Sequence, residues 1–245
     1  MSTASVFRKD ILDVRRAKIV WFVGSLFTLV TVLFFYQIWE FGGVEGFDVN
    51  PGHFVERHRL VVIIALGESL VTIGVGAQGL AVGPAVVLAA LLGIGLVIAL
   101  WWLYFDYIIL AAERRLARER GRAQAELARD SYSYVHLFIV GSIVFVALGV
   151  EQTLAHVDEP LLVTAATALY GGGALYLLGH NAFRYRDHRT ISRSRLGVAL
   201  VSIALIPLAL RIPATGALAV LTVLFVGLAA YETRWSEHRA YFRPG

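Results

Sequence analysis

The chain has 245 residues, 58% hydrophobic and 16% charged, with a mean hydropathy of +0.68, a formal net charge of +4 and no cysteine. Those values lie outside the ordinary soluble range and place it in the polytopic membrane class. Without cysteine there is no disulfide framework, thiolate metal site or cysteine nucleophile. The positive charge is not a nucleic-acid signal either, because the Arg residues cluster beside apolar segments, where membrane topology accounts for them.

In chain order, residues 1–16 read as a polar N-terminal tail with no signal-peptide pattern, since the apolar stretch that follows is too long for an h-region and has no small-residue cleavage site. Residues 17–233 read as a single transmembrane helical domain containing about seven apolar segments, most near the roughly 20 residues a bilayer core demands. They cover about 17–39, 55–77, 84–110, 134–155, 160–183, 195–213 and 214–233. The expected fold class is therefore all-α, a polytopic membrane helix bundle. Residues 111–131 form a charged connector of strong helix formers, expected to prolong the third segment and to break at Gly121. It has two readings: a solvated, topology-setting link, or a contact for anionic lipid. Pro207 is expected to kink the sixth segment. The short link containing Pro213 should make the last two segments an antiparallel hairpin, and residues 234–245 form the C-terminal tail.

Arginine-rich connectors set the orientation. The link after the third segment, the link RYRDHRTISRSR and the C-terminal tail are all rich in Arg, whereas the links after the second and fourth segments have none. The rich side is assigned to the cytoplasm, in the bacterial inner membrane, with lipids as the obligatory partners and no nucleic acid. Alternation then leaves Arg8, Lys9, Arg15, Arg16 and Lys18 on the outer side. That conflict implies either that the first segment does not span as drawn or that the native start lies upstream. A homo-oligomer, or a separate N-terminal half, is the corresponding partner expectation.

The second segment, HFVERHRLVVIIALGESLVTIGVG from His53 to Gly76, carries its charges at one end and a lone acid, Glu68, roughly 18 Å along the helix axis. At helical spacing Arg57, Val61, Ile64, Glu68 and Thr72 share a stripe, which is expected to face other helices or a water-lined space.

The run HFVERHRLVVIIALGES resembles the bacterial low temperature requirement protein A (LtrA) family, and WWLYFD, SYSYVHL and ALYLLGH follow in the same order. The resemblance covers about residue 50 to the C-terminus and implies the C-terminal half of a longer membrane protein. It implies no molecular activity, so His53, Glu56, Arg57, Glu68, Asp106, His136 and His180 carry over as family-type positions without roles.

Two polar layers are expected from the segments. The cytoplasmic layer holds His53, Glu56, Arg57 and His58, with Asp106, Tyr132, His136 and His180 beside Asn181. The i,i+4 pairs Trp102–Asp106, Tyr132–His136 and Tyr176–His180 contribute to it. The deeper layer holds Glu68, Ser69, Thr72 and Glu151 with Gln152. Glu68 reads either as a structural acid bonded to a neighbouring helix or as a proton- or cation-binding carboxylate in a transport path. Glu56 and Arg57 read as an interfacial pair or as a gate. The histidine spacing supports a hydrogen-bonded proton relay over a metal site, so no metal and no cofactor are expected. Trp101, Trp102, Tyr104, Phe105 and Tyr107 read as an interfacial aromatic belt. The many helical glycines read as close-packing faces, with the alternative that Gly171–Gly173 unwinds its helix. The expected function is a transporter or permease-like protein for a small solute or ion. The alternatives are a membrane-embedded lipid-modifying enzyme, disfavoured because no nucleophile motif accompanies the acid–base groups, and a sensor or partner subunit.

Overall fold

The computed structural model describes residues 50–77, 83–105 and 108–235, so the first apolar segment and Asp106 lie outside the described residues. The described residues lie in one compact unit within Gly46–Gly245, and its architecture is all-helical. Among the described residues there is no strand. A bridge of extended backbone joins Pro160 to Pro213.

Four helices are long and apolar enough to cross a membrane among the described residues. Helix α1, Pro51–Gly76, starts where Asn50 caps the His53 amide and Pro51 removes a donor the helix could not use. Helix α2, Pro84–Phe105, is followed by the charged helices α3, Ile108–Arg118, and α4, Gly121–Leu127. The break expected at Gly121 is present: its φ of +55° is a conformation that glycine adopts without a Cβ penalty. From Gly121 the chain is helical without interruption to Ala155. It passes through a π-helical stretch, Ala128–Val135, into α5, His136–Ala155. Helix α10, Ala214–Trp235, is the fourth crossing candidate.

The fifth and sixth apolar segments form helices with interruptions. The fifth is α6, Val163–Ala166, then a π-helical turn, Thr167–Gly171, then α7, Gly172–His188. The run Gly171–Gly173 therefore stays helical, its first residue closing the π turn and the other two opening α7, and does not unwind. The sixth is α8, Arg193–Ala204, then α9, Ile206–Ala209, with the turn at Leu205 two residues before Pro207, which has no amide proton to continue the ladder.

Helix α5 is the spine. It packs on α1 and α7, α7 packs on α8, and α2 packs on α1 and α10. The α5–α7 seam is a glycine seam. A Cβ at Gly149 would lie 2.5 Å from the Leu169 Cβ, one at Gly172 would lie 3.0 Å from the Val146 amide nitrogen, and one at Gly179 would lie 2.9 Å from Ile139. In lipid there is little hydrophobic drive between helices, so dispersion over such close approach holds them together. At the far end α10 is tied to the α5–α6 link, where the Glu159 carbonyl accepts from the Ala214 amide at 2.8 Å.

Candidate functional site: a buried histidine–tyrosine cluster

The site lies inside the bundle toward its arginine-rich end, and six helices contribute to it. The π-helical stretch before α5 turns Tyr132 and His136 inward together, and their rings stack with centroids 5.4 Å apart. A π turn closes one residue later than an α turn, and the Ser131 carbonyl accordingly meets Nδ1 of His136, five residues on, at 3.2 Å. A carbonyl can only accept, so Nδ1 carries the proton and Nε2 is the acceptor in the neutral ring. Tyr104 of α2 fills that role, its hydroxyl donating to His136 Nε2 at 2.8 Å.

The cluster extends in both directions. Toward the mouth, His58 of α1 stands edge-on to His136 at 5.3 Å, its own Nδ1 held 2.8 Å from the Phe54 carbonyl. Toward α8, His180 of α7 lies 5.9 Å from the Tyr104 ring and 4.3 Å from that of Tyr176, whose hydroxyl donates to the Leu100 carbonyl. Beyond it Arg195 of α8 grips Glu232 of α10. Arg195 Nε lies 3.0 and 3.1 Å from the two carboxylate oxygens, and Nη2 lies 2.6 Å from Oε2. Arg195 Nη2 also donates to the Leu103 carbonyl at 3.0 Å. The two side chains are only 5% and 8% exposed, so water screens little of their attraction.

The interior is not satisfied by its own contacts. Among the described residues both ring nitrogens of His180, the Tyr132 hydroxyl, Asn181 Nδ2 and Arg195 Nη1 are buried with no hydrogen-bond partner. Most buried polar groups in proteins are paired, so these atoms make the interior at this end unusually polar.

A second polar knot caps the same end. Asp130 accepts from Arg129 and, through two bonds of 3.0 and 3.1 Å, from Arg186. Ser131 donates to Asp187 at 2.5 Å. Burial pushes the Asp187 carboxyl up to about 6, although the Ser131 hydroxyl, Arg186 and Arg115 act to hold it down.

The remaining expected residues fall elsewhere. His53, Glu56 and Arg57 are exposed, with His53 Nδ1 3.7 Å from Glu56. Glu68 is exposed and Thr72 half-buried among the described residues. Helix α1 presents Val62, Leu66, Ser69, Ile73 and Gly76 to the core, and the stripe through Glu68 lies outside that buried face. Ser69 donates to the Ala65 carbonyl of its own helix at 2.9 Å. Glu151 is half-buried beneath Gly76, its Cγ 3.3 Å from where a Cβ would stand. The structure thus joins Tyr132, His136 and His180 and does not bring Glu68, Ser69, Thr72 or Glu151 to them.

Sequence reasoning missed three members. Tyr104 was assigned to the aromatic belt, yet it is fully buried while Trp101 and Trp102 stay exposed. A tyrosine one position out of phase with its neighbours turns inward at 100° per residue. Arg195 counted only as a topology signal, and Glu232 had no reading at all. The available clue was that both lie within the apolar stretches as drawn.

The outer surface is the inverse of a soluble protein's. Ile64 is 69% and Val223 68% exposed while His136, His180, Arg195 and Glu232 are enclosed. That pattern, with four crossing-length helices, defines a helical membrane protein. The chain belongs to the bacterial low temperature requirement A protein (LtrA) family, whose family model matches residues 11–230. It is also similar to an uncharacterized protein of Rhizobium meliloti (strain 1021), 33% identical over 173 residues that make up 66% of this chain and 40% of the relative. The match therefore spans less than half the length of that relative. No solved structure matches.

Proposed function

We propose that this chain is a permease-type membrane protein that moves a small solute or ion, with proton movement through the histidine–tyrosine cluster as its working step. The observation that carries the reading is the hydrogen bond from Tyr104 to the open nitrogen of buried His136, with His58 and His180 on either side. An imidazole accepting at one nitrogen and donating from the other can take up a proton on one side and release it on the other. In the full proposal the chain crosses the inner membrane about seven times, counting the interrupted fifth and sixth segments and the first apolar stretch, with the arginine-rich end in the cytoplasm. Glu68, on the exposed face of α1, is a separate acid that couples to the same flux.

The test is proton and solute flux in proteoliposomes carrying a pH-sensitive dye. Tyr104→Phe removes one hydroxyl and keeps the ring. It should cut flux about tenfold or more, in line with the 10²–10⁴ range for positioned proton transfer, while the melting profile in detergent shifts little. Wild-type flux in both Tyr104→Phe and His136→Phe would overturn the proposal.

A further inference from the structure

Helices α2 and α10 lie side by side, and their outer faces leave a groove of about 310 Å³, roughly ten times the volume of a water molecule. Its floor is made of small side chains, Gly95 and Ala99 on α2 and Ala229 on α10, so the two backbones come close and no large residue fills the space above them. Ile98 and Val226 form exposed apolar walls. The groove runs along both helices from Gly95 to Trp102 and from Val226 to Arg234, about 10–12 Å at 1.5 Å per residue. One end is chemically different. There Trp102 Nε1 donates to the Thr233 hydroxyl at 3.0 Å and the exposed Arg234 completes the lining. This is the end of the bundle where the arginine-rich links after α2 and α7 lie, which the proposed topology sets at headgroup level.

We propose that this groove is a specific site for one anionic phospholipid, an acyl chain lying over Gly95, Ala99 and Ala229 and the phosphate meeting Arg234. The dry, narrow, apolar part suits a single chain and offers no polar partner to a solute. A guanidinium matches a phosphate in charge and in fork geometry, and an interfacial tryptophan with its N–H already committed fixes the rim. Arg234 is free of the Arg195–Glu232 pair, so holding a lipid does not disturb the interior cluster. The site stands independently of the transport proposal.

The experiment is native mass spectrometry of the full chain released from nanodiscs of mixed phosphatidylglycerol and phosphatidylcholine, for wild type, Ala230→Leu and Arg234→Gln. Ala230 is an exposed lining residue, so leucine there fills the groove without entering the core. Wild type should retain about one phosphatidylglycerol in preference to phosphatidylcholine. Ala230→Leu should lose the retained lipid, and Arg234→Gln should lose the preference by about fivefold or more while still carrying lipid. Far-UV circular dichroism melts confirm that both variants fold. Equal retention in all three proteins overturns the proposal. So does a wild-type dimer that Ala230→Leu converts to monomer, which would give the groove to a second copy of the chain, and so does wild type with no retained lipid.

Discussion

Replacing Glu232 by glutamine removes one charge from the Arg195–Glu232 pair and almost no volume. In the native chain three contacts of 2.6–3.1 Å join the two groups. At an effective dielectric near 20 and a charge separation of about 4 Å, that attraction is worth about 4 kcal/mol. Glutamine retains an acceptor, but it leaves a buried cation whose other bond, to the Leu103 carbonyl, cannot neutralise it. The expected loss is about 3–5 kcal/mol. The double variant Arg195→Met with Glu232→Leu removes both desolvation costs and should recover to within about 1–2 kcal/mol of wild type. Unfolding in mixed micelles by titrated dodecyl sulfate, followed by tryptophan fluorescence and circular dichroism, measures wild type, Glu232→Gln, the single variants Arg195→Met and Glu232→Leu, and their double variant. If Glu232→Gln loses less than about 0.5 kcal/mol, or if the double variant is as unstable as the worse single one, charge compensation is not what holds α8 against α10.

Further outcomes follow from the same contacts. Gly149→Ala must push Leu169 away from an approach of 2.5 Å and should cost about 1–3 kcal/mol, whereas Gly141→Ala, with nothing within 4 Å, should be neutral or gain up to about 1 kcal/mol in the same unfolding assay. Asp187 binds its proton more tightly in the folded chain, so its contribution to stability is greatest below its ordinary value of 3.8 and falls as pH rises to about 6. Wild type should therefore lose stability relative to Asp187→Asn across that window, by on the order of 3 kcal/mol at most, and parallel profiles for the two proteins would refute the assignment. Glu68→Gln, at an exposed position, should change unfolding by less than about 0.5 kcal/mol and still lower proton-coupled flux. Unchanged flux removes Glu68 from the path and leaves the histidine–tyrosine cluster in place.

The expectation for Glu68 shows where helical periodicity stops being informative. The spacing groups Arg57, Val61, Ile64, Glu68 and Thr72 on one face of α1, but the face buried in the bundle is the other one, with Val62, Leu66 and Ile73. A transmembrane helix that is apolar all round gives no moment to say which side faces protein, because lipid and protein interior are equally apolar. The same ambiguity hid Tyr104 within an aromatic run. By contrast the i,i+4 pairs Tyr132–His136 and Tyr176–His180 survive into the structure because their geometry is local to one helix.

Composition, segment length and the distribution of arginine thus settle by themselves that the chain is a helical membrane protein, since the bilayer admits few ways of hiding a backbone. Local chemistry fixes Gly121 as a break and the interruption before Pro207. Only the tertiary structure decides that Tyr104 reaches His136, that Arg195 finds Glu232 and that glycines close the α5–α7 seam. Those pairings join positions 32 to 37 residues apart or lie on different helices, and the rotation of each helix about its axis, which no single segment encodes, is what brings them together.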